Sequence, residues 1–240
     1  MTRPLGTFYG IGVGPGDPEL LTLKALKVLA RKPHIFAATS SKNTYSLAED
    51  VVRCHVNGTQ VEHLPFPMTR DSRILKEAWE KNARRVLTVL QTGRDAAFVT
   101  LGDPLTYSTF GYLLKTLKRL EPGVRVVTIP GVTSYQAAAA LTETPLSEGE
   151  ETLMVVSGAQ GAARLRQALD QTDNLVLLKT YRHLDEILAA LEEKGLLDQA
   201  FCVSRCGLEG ETVIQDLRDL KGKPVPYLSM IIVKKKGKSL

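Results

Sequence analysis

Apolar residues along the chain fall into two alternating patterns. Short continuous runs, such as "FYGIGV", "AAFVT" and "VVTI", are bounded by glycine, proline and aspartate. Between them lie longer segments with apolar residues every three to four positions. The short runs predict strands buried on both faces and the longer segments predict amphipathic helices. In the first half the strands are expected over 7–13, 34–38, 61–64, 95–100 and 125–129. Helices are expected over 18–31, 45–54 and 70–92. Ile74, Leu75, Ala78, Trp79, Val86, Leu87 and Leu90 mark the core face of the last, so Trp79 is read as core. In the second half "TLMVVSG", "NLVLLKTY", "AFCVSRCG" and "YLSMIIVKK" read as strands. "ARLRQALDQ" and "LDEILAALEEKG" read as helices, the latter stopped at Gly195.

This alternation predicts an α/β protein with parallel or mixed sheets. The pattern breaks at "IPGVTSYQAAAALTETPLSEGE", where a strand ends, an alanine-rich helix follows and a polar loop comes after. Two α/β lobes are expected, 1–130 and 131–240, with a cleft between them as the place for a small molecule. No repeat of solenoid length interrupts the pattern.

Composition narrows the function little. The 240 residues carry a net charge of +5, part of it in the tail "KKKGKSL". Such a balance is mildly favourable to anions. Nucleic-acid binding through the tail is a weak alternative, because no aromatic RNA-binding motif accompanies it. No apolar run of about 18 residues predicts a membrane span, and "MTRPLGTFYG" lacks the apolar core of a signal peptide. Three cysteines, Cys54, Cys202 and Cys206, are too few and too odd in number for a disulfide framework and fit the cytoplasm. Cys202 and Cys206 have no histidine close by, so no metal site is expected. His34, His55, His63 and His183 are scattered and read as structural.

Three strand ends carry the candidate chemistry. "GVGPGD" contains Gly12, Gly14, Pro15, Gly16 and Asp17, where glycine allows close backbone approach. It matches neither the dinucleotide fingerprint nor the P-loop, and Pro15 has no N–H to give a phosphate. It is equally readable as a tight strand-to-helix turn opened by Asp17 or Pro18. "VTLGDPLTYSTFGYLLKTL" turns at Gly102, Asp103 and Pro104, then gathers Tyr107, Ser108 and Thr109 before a helix. A helix cap accounts for Asp103 and Pro104 but not for the polar cluster. Ligands in open α/β sheets bind at strand C-terminal ends. "VTIPGVTSYQAAAA" places Thr133 and Ser134 after a third strand end.

Together, in this order and spacing, these motifs resemble the tetrapyrrole methylase family over essentially the whole chain. The resemblance implies a two-lobed α/β fold with an active-site cleft between the lobes and S-adenosyl-L-methionine as methyl donor. It implies a tetrapyrrole substrate, and a homodimer. "GTFYGIGVGPGDPELLTLKAL", "LGDPLTYSTFGYLLKTL" and "YLSMIIVKK" are similar to the branch acting at C-20 of precorrin-2 or cobalt-factor II in cobalamin biosynthesis. By the resemblance, donor contacts fall on Pro15, Leu101, Gly102, Asp103, Thr106, Ser108, Thr133, Ser134, Leu178 and Lys179. Several relatives carry methionine where Lys179 stands. Gly14 and Gly16 would border the substrate, and Lys42, Arg70, Arg73 and Arg182 are candidates for its carboxylates. Asp17, Asp103 and Tyr107 are candidates for a base that removes the proton from the methylated carbon. Methylation of another tetrapyrrole position or of a diphthamide precursor stays open, as does a non-catalytic module that binds a nucleotide-like ligand.

Overall fold

The computed structural model describes residues 4–40, 45–160 and 162–235. The chain divides into two compact units, Met1–Thr133 and Ser134–Leu240.

The first unit is built on five strands: β1 (Phe8–Gly12), β2 (His34–Ser40), β3 (Val61–Phe66), β4 (Ala96–Thr100) and β5 (Val126–Ile129). They pair entirely in parallel, in the order β3-β2-β4-β1-β5. Parallel strands need crossovers that cover both faces of the sheet. Helices α1 (Leu23–Leu29) and α2 (Leu47–His55) supply one cover, burying Ala25, Val28, Leu29, Val51 and Val52 against Tyr9, Ile11 and Val99. Helices α3 (Ser72–Gln91) and α4 (Phe110–Leu120) supply the other, packing Val86, Leu90, Phe110, Leu113 and Leu117 on Phe8, Phe36 and Phe98. Burial on both sides explains why β1 and β4 read as continuous apolar runs. Trp79 is partly buried against this second layer and stacks on Tyr112 with ring centroids 4.4 Å apart.

The second unit holds α5 (Ser134–Leu141), β6 (Leu153–Ser157), α6 (Ala162–Gln171), β7 (Asn174–Leu178), α7 (Leu184–Glu193), β8 (Ala200–Ser204), β9 (Thr212–Ile214) and β10 (Ser229–Lys234). Its sheet order is β6-β7-β10-β8-β9, with β6 and β7 parallel and the other pairs antiparallel. Helices α6 and α7 cover one face through Leu165, Leu169, Ile187 and Leu191. On the other face Ala138 of α5 packs with Val176, Val203 and Ile232.

Several expected elements differ. The segment 18–31 is not one helix: a 3₁₀ turn spans Pro18–Leu20, Leu21 is extended, and Thr22 restarts the chain as α1 by accepting from Ala25 N–H. The strand expected in "NLVLLKTY" stops at Leu178, because Lys179 takes a left-handed conformation and Thr180–Arg182 form a 3₁₀ turn. The edge strand β9 is three residues long and mostly exposed, too short to leave a periodic signal. Among the described residues no helix is long and apolar enough to cross a membrane.

Candidate functional site

Strands β4, β1 and β5 are neighbours, so the three motif loops emerge side by side at their C-terminal ends. They are joined by main-chain contacts. Gly102 N–H donates to Gly14 carbonyl at 2.6 Å, and Val13 N–H donates to Thr100 carbonyl at 3.0 Å. Glycine is required where the loops meet. A Cβ on Gly12 would lie 2.5 Å from Gly102 carbonyl oxygen and 2.7 Å from Gly131 nitrogen. A Cβ on Gly131 would lie 2.8 Å from the Gly12 carbonyl carbon. Real side-chain carbons do not approach backbone this closely, so only glycine fits at 12 and 131, while Gly102 brings its carbonyl oxygen to them from a left-handed backbone at φ 71°. Behind them, a Cβ on Gly10 would run into the Phe110 ring, which seats the start of α4 over β1.

Asp103 clamps two of the loops. Its carboxylate accepts from Leu105 N–H at 2.8 Å, from Thr106 Oγ1 at 3.3 Å and from Gly131 N–H at 3.3 Å. It caps its own turn rather than α4, which begins seven residues later at Phe110 after Thr109. Ser108 completes the turn: its Oγ lies 3.1 Å from Thr100 Oγ1 and accepts from Phe110 N–H at 3.2 Å. Asp17 is used at home as well, its Oδ1 accepting from Glu19 N–H at 2.9 Å to cap the 3₁₀ turn. Tyr107 stands between the fixed residues Thr106 and Ser108 with φ of 51° and its side chain half exposed.

Of the remaining sequence candidates, Pro15, Gly14, Gly16, Leu101 and Thr133 lie on these same three loops. Ser134 opens α5 in the second unit. Arg70 and Arg73 flank the start of α3, just past the C-terminal end of the edge strand β3. They share the sheet end of the three loops, with β2 standing between β3 and β4, a lateral spacing of roughly 10 Å. Lys42 lies outside the described residues. In the second unit, Leu178 ends β7 and Lys179 follows at φ 60°. Arg182 lies 5.4 Å over the Tyr181 ring, and Tyr181 meets Tyr227 at 5.0 Å. Burial and the neighbouring Tyr181 raise the Tyr227 pKa, with Arg182 opposing. The Lys179 turn is held from beneath: buried Thr180 Oγ1 donates to Ser229 carbonyl, and Ser229 Oγ lies 2.8 Å from Ser204 Oγ.

The four histidines each have a local partner: His34 with Glu62, His63 with Glu49, His183 with Glu186 and His55 with Pro18 carbonyl. Among the described residues no three of His, Cys, Asp and Glu gather as a metal set. Thr100 was not marked by the sequence, and Gly12 was marked only as a member of its glycine-rich turn. Close backbone approach was the reason to expect glycine at 12, and nothing local marked Thr100.

The donor set of the first unit suits a cationic or neutral ligand. Loops 13–17, 101–108 and 130–133 contain two aspartates, three hydroxyl-bearing threonine or serine residues and a tyrosine, but no lysine or arginine. A Cβ at Gly102 would meet nothing within 4 Å, so the main chain there is open to close approach. A phosphate would find no lysine or arginine on these loops.

Comparison with known proteins accords with this arrangement. The model of the tetrapyrrole (corrin/porphyrin) methylases matches residues 7–221. The cobalt-precorrin-2 C(20)-methyltransferase of Salmonella typhimurium is 34% identical over 232 residues, covering 96% of this chain and 97% of that protein. The precorrin-2 C(20)-methyltransferase of a Sinorhizobium species is 31% identical over 242 residues, covering 95% of each. Among solved structures, the uroporphyrin-III C-methyl transferase of Thermus thermophilus, complexed with S-adenyl homocysteine, superposes with a TM-score of 0.68. That pair is 24% identical over 95% of this chain and 97% of the other.

Proposed function

The chain belongs to the tetrapyrrole methylase family, and from that premise we propose that it methylates the C-20 meso carbon of precorrin-2 or of its cobalt complex, with S-adenosyl-L-methionine as donor. The observation that carries the reading is full-length identity of 34% and 31% to proteins named for that position. The two names differ in whether cobalt is present, so either form of the substrate is compatible. The free cysteines support a cytoplasmic setting, and the family resemblance supports a homodimer.

When bound, the donor supplies an electrophilic methyl on sulfur with a neutral thioether as leaving group, so no acid is needed at that end. The protein's contribution is then alignment and exclusion of water. The glycine contact of residues 12, 102 and 131 fixes the three loops as one surface, and Asp103 locks the second loop to the third. Rigid positioning of this kind can contribute up to about 7–11 kcal/mol in favourable cases. Asp17 and Asp103 each already accept backbone hydrogen bonds, which favours positioning over base chemistry for both. Arg70 and Arg73, exposed at the same sheet end, suit the rim carboxylates of the substrate.

The test is anaerobic incubation with isotopically labelled donor and either precorrin-2 or cobalt-factor II, read by mass spectrometry. One labelled methyl located at C-20 is expected. Donor binding with no methylation of either compound overturns the assignment.

A further inference from the structure

A cavity of about 230 Å³ lies at the N-terminal end of the first sheet, lined by Tyr9, Val28, Arg31, Lys32, Arg94 and Asp95. Arg31 and Lys32 belong to the link from α1 to β2, Arg94 and Asp95 to the link from α3 to β4, and Tyr9 to β1. The three motif loops leave the other end of the same sheet, where β1 and β4 are five residues long. The two places are therefore roughly 15 Å apart along the strands.

The cavity is one-sided in charge. Arg31, Lys32 and Arg94 are exposed, and among the described residues none of them makes an ion pair. By contrast, Arg53, Arg84, Arg85 and Arg119 of the same unit each hold a glutamate. Asp95 is the carboxylate of the lining, and its Oδ1 is occupied by Thr7 N–H at 2.7 Å. Three cations against one carboxylate leave two positive charges. Helix dipoles favour cations at the C-terminal ends of α1 and α3, which accounts for the charges but not for Tyr9. Tyr9 is 9% exposed and its ring packs with Val28 and Leu29 of α1. Among the described residues its hydroxyl has no hydrogen-bond partner. A buried tyrosine hydroxyl ordinarily has one. An open buried donor beside surplus positive charge is the arrangement that an anion would complete.

Size points the same way. Cavities for drug-sized ligands begin at about 300 Å³, so this one suits a small oxyanion or the end group of a larger molecule. We propose that it binds a phosphate-type dianion, taken by the Tyr9 hydroxyl from within and by Arg31, Lys32 and Arg94 at the rim, at a site separate from the methyl-transfer loops. Bound there, the anion joins β1 to the two links and stabilises the folded chain by linkage. A free phosphate ion and a small phosphomonoester present the same oxygens to these groups.

The probes are inorganic phosphate and glycerol 3-phosphate on the full chain, with chloride at matched ionic strength as the reference. Calorimetric titration is expected to give a dissociation constant of about 1–10 mM, and the tighter probe identifies the source. At ten times that concentration the melting temperature should rise by about 3–6 °C over chloride. Neither probe should change the affinity for S-adenosyl homocysteine. Tyr9→Phe keeps the ring and removes the hydroxyl. In chloride it should melt no lower than wild type, because no protein hydrogen bond is lost, while its phosphate affinity falls about tenfold. Arg94→Ala, at an exposed position, should weaken binding in the same direction. Stability kept in chloride and lost only in phosphate is not what a structural tyrosine gives. The proposal is overturned if neither probe binds, if chloride stabilises equally, or if either probe competes with S-adenosyl homocysteine. It is overturned equally if Tyr9→Phe melts below wild type in chloride or binds phosphate as tightly as wild type. Tight binding by Tyr9→Phe joined to a loss in Arg94→Ala would mark a surface patch of cations and nothing more.

Discussion

Replacing Gly12 by alanine places a methyl group where three loops already touch. The new carbon would stand 2.5 Å from Gly102 carbonyl oxygen, 2.7 Å from Gly131 nitrogen and 2.8 Å from Gly131 Cα. All three are backbone atoms, so no side chain can swing aside. Restoring ordinary contact requires the loops to separate by about 1 Å. Overpacking of this kind costs about 1–3 kcal/mol, offset by roughly 0.4–1 kcal/mol because alanine has less freedom than glycine in the unfolded chain. At about 2–4 °C per kcal/mol for a chain of this size, the melting temperature should fall by several degrees. The larger effect is functional. A displacement of about 1 Å in a positioning surface costs on the order of 100-fold in turnover. Gly111→Ala is the matched control. It lies on α4 near the same loops, and an added Cβ there meets nothing within 4 Å. It should stabilise the helix by about 0.5–1 kcal/mol and leave activity intact. Thermal melting, calorimetric titration with S-adenosyl homocysteine and the methyl-transfer assay would be run on both. Gly12→Ala with wild-type melting and wild-type donor affinity would refute the argument that this contact shapes the site.

Asp103→Asn should lose one of the three hydrogen bonds to its carboxylate, weaken donor binding, and keep the wild-type pH profile; a profile that loses a limb would instead identify Asp103 as the base. Ser229→Ala removes the buried hydroxyl that bonds Ser204 and donates to Pro226 carbonyl. It should cost about 1–3 kcal/mol, and a melting curve unchanged from wild type would contradict this. Glu62 accepts from Arg85 at 2.5 and 2.7 Å and lies 2.7 Å from His34 Nε2. The Arg85 hydrogen bonds lower its pKa below 4.5, burial opposes them, and His34 adds to the lowering. Its stabilising contribution is therefore complete above pH 4.5 and is lost as pH falls through the lowered value. Glu62→Gln should flatten the stability-against-pH curve on that acid side, and superimposable curves would remove Glu62 from the account.

The strands and helices were legible in the sequence because each reports its own burial. A parallel strand covered on both faces is apolar throughout, as "AAFVT" shows, and a helix covered on one face repeats every three to four residues, as 72–91 shows. Motif order was legible too, because glycine, proline and aspartate mark strand ends for local steric reasons. What lay beyond the sequence were contacts between distant residues. Gly12, Gly102 and Gly131 meet only because β4, β1 and β5 are neighbours in the sheet. Asp103 reaches Gly131 across 28 positions. The break after Leu20 rests on the local caps of Asp17 and Thr22, the left-handed Tyr107 and Lys179 leave no periodic mark, and the three-residue β9 is too short to show a period. The sequence by itself determined which segments would be buried and where ligand loops would begin. Only the tertiary structure decided which loops touch, because strand order is a sum of non-local packing energies that no local pattern records.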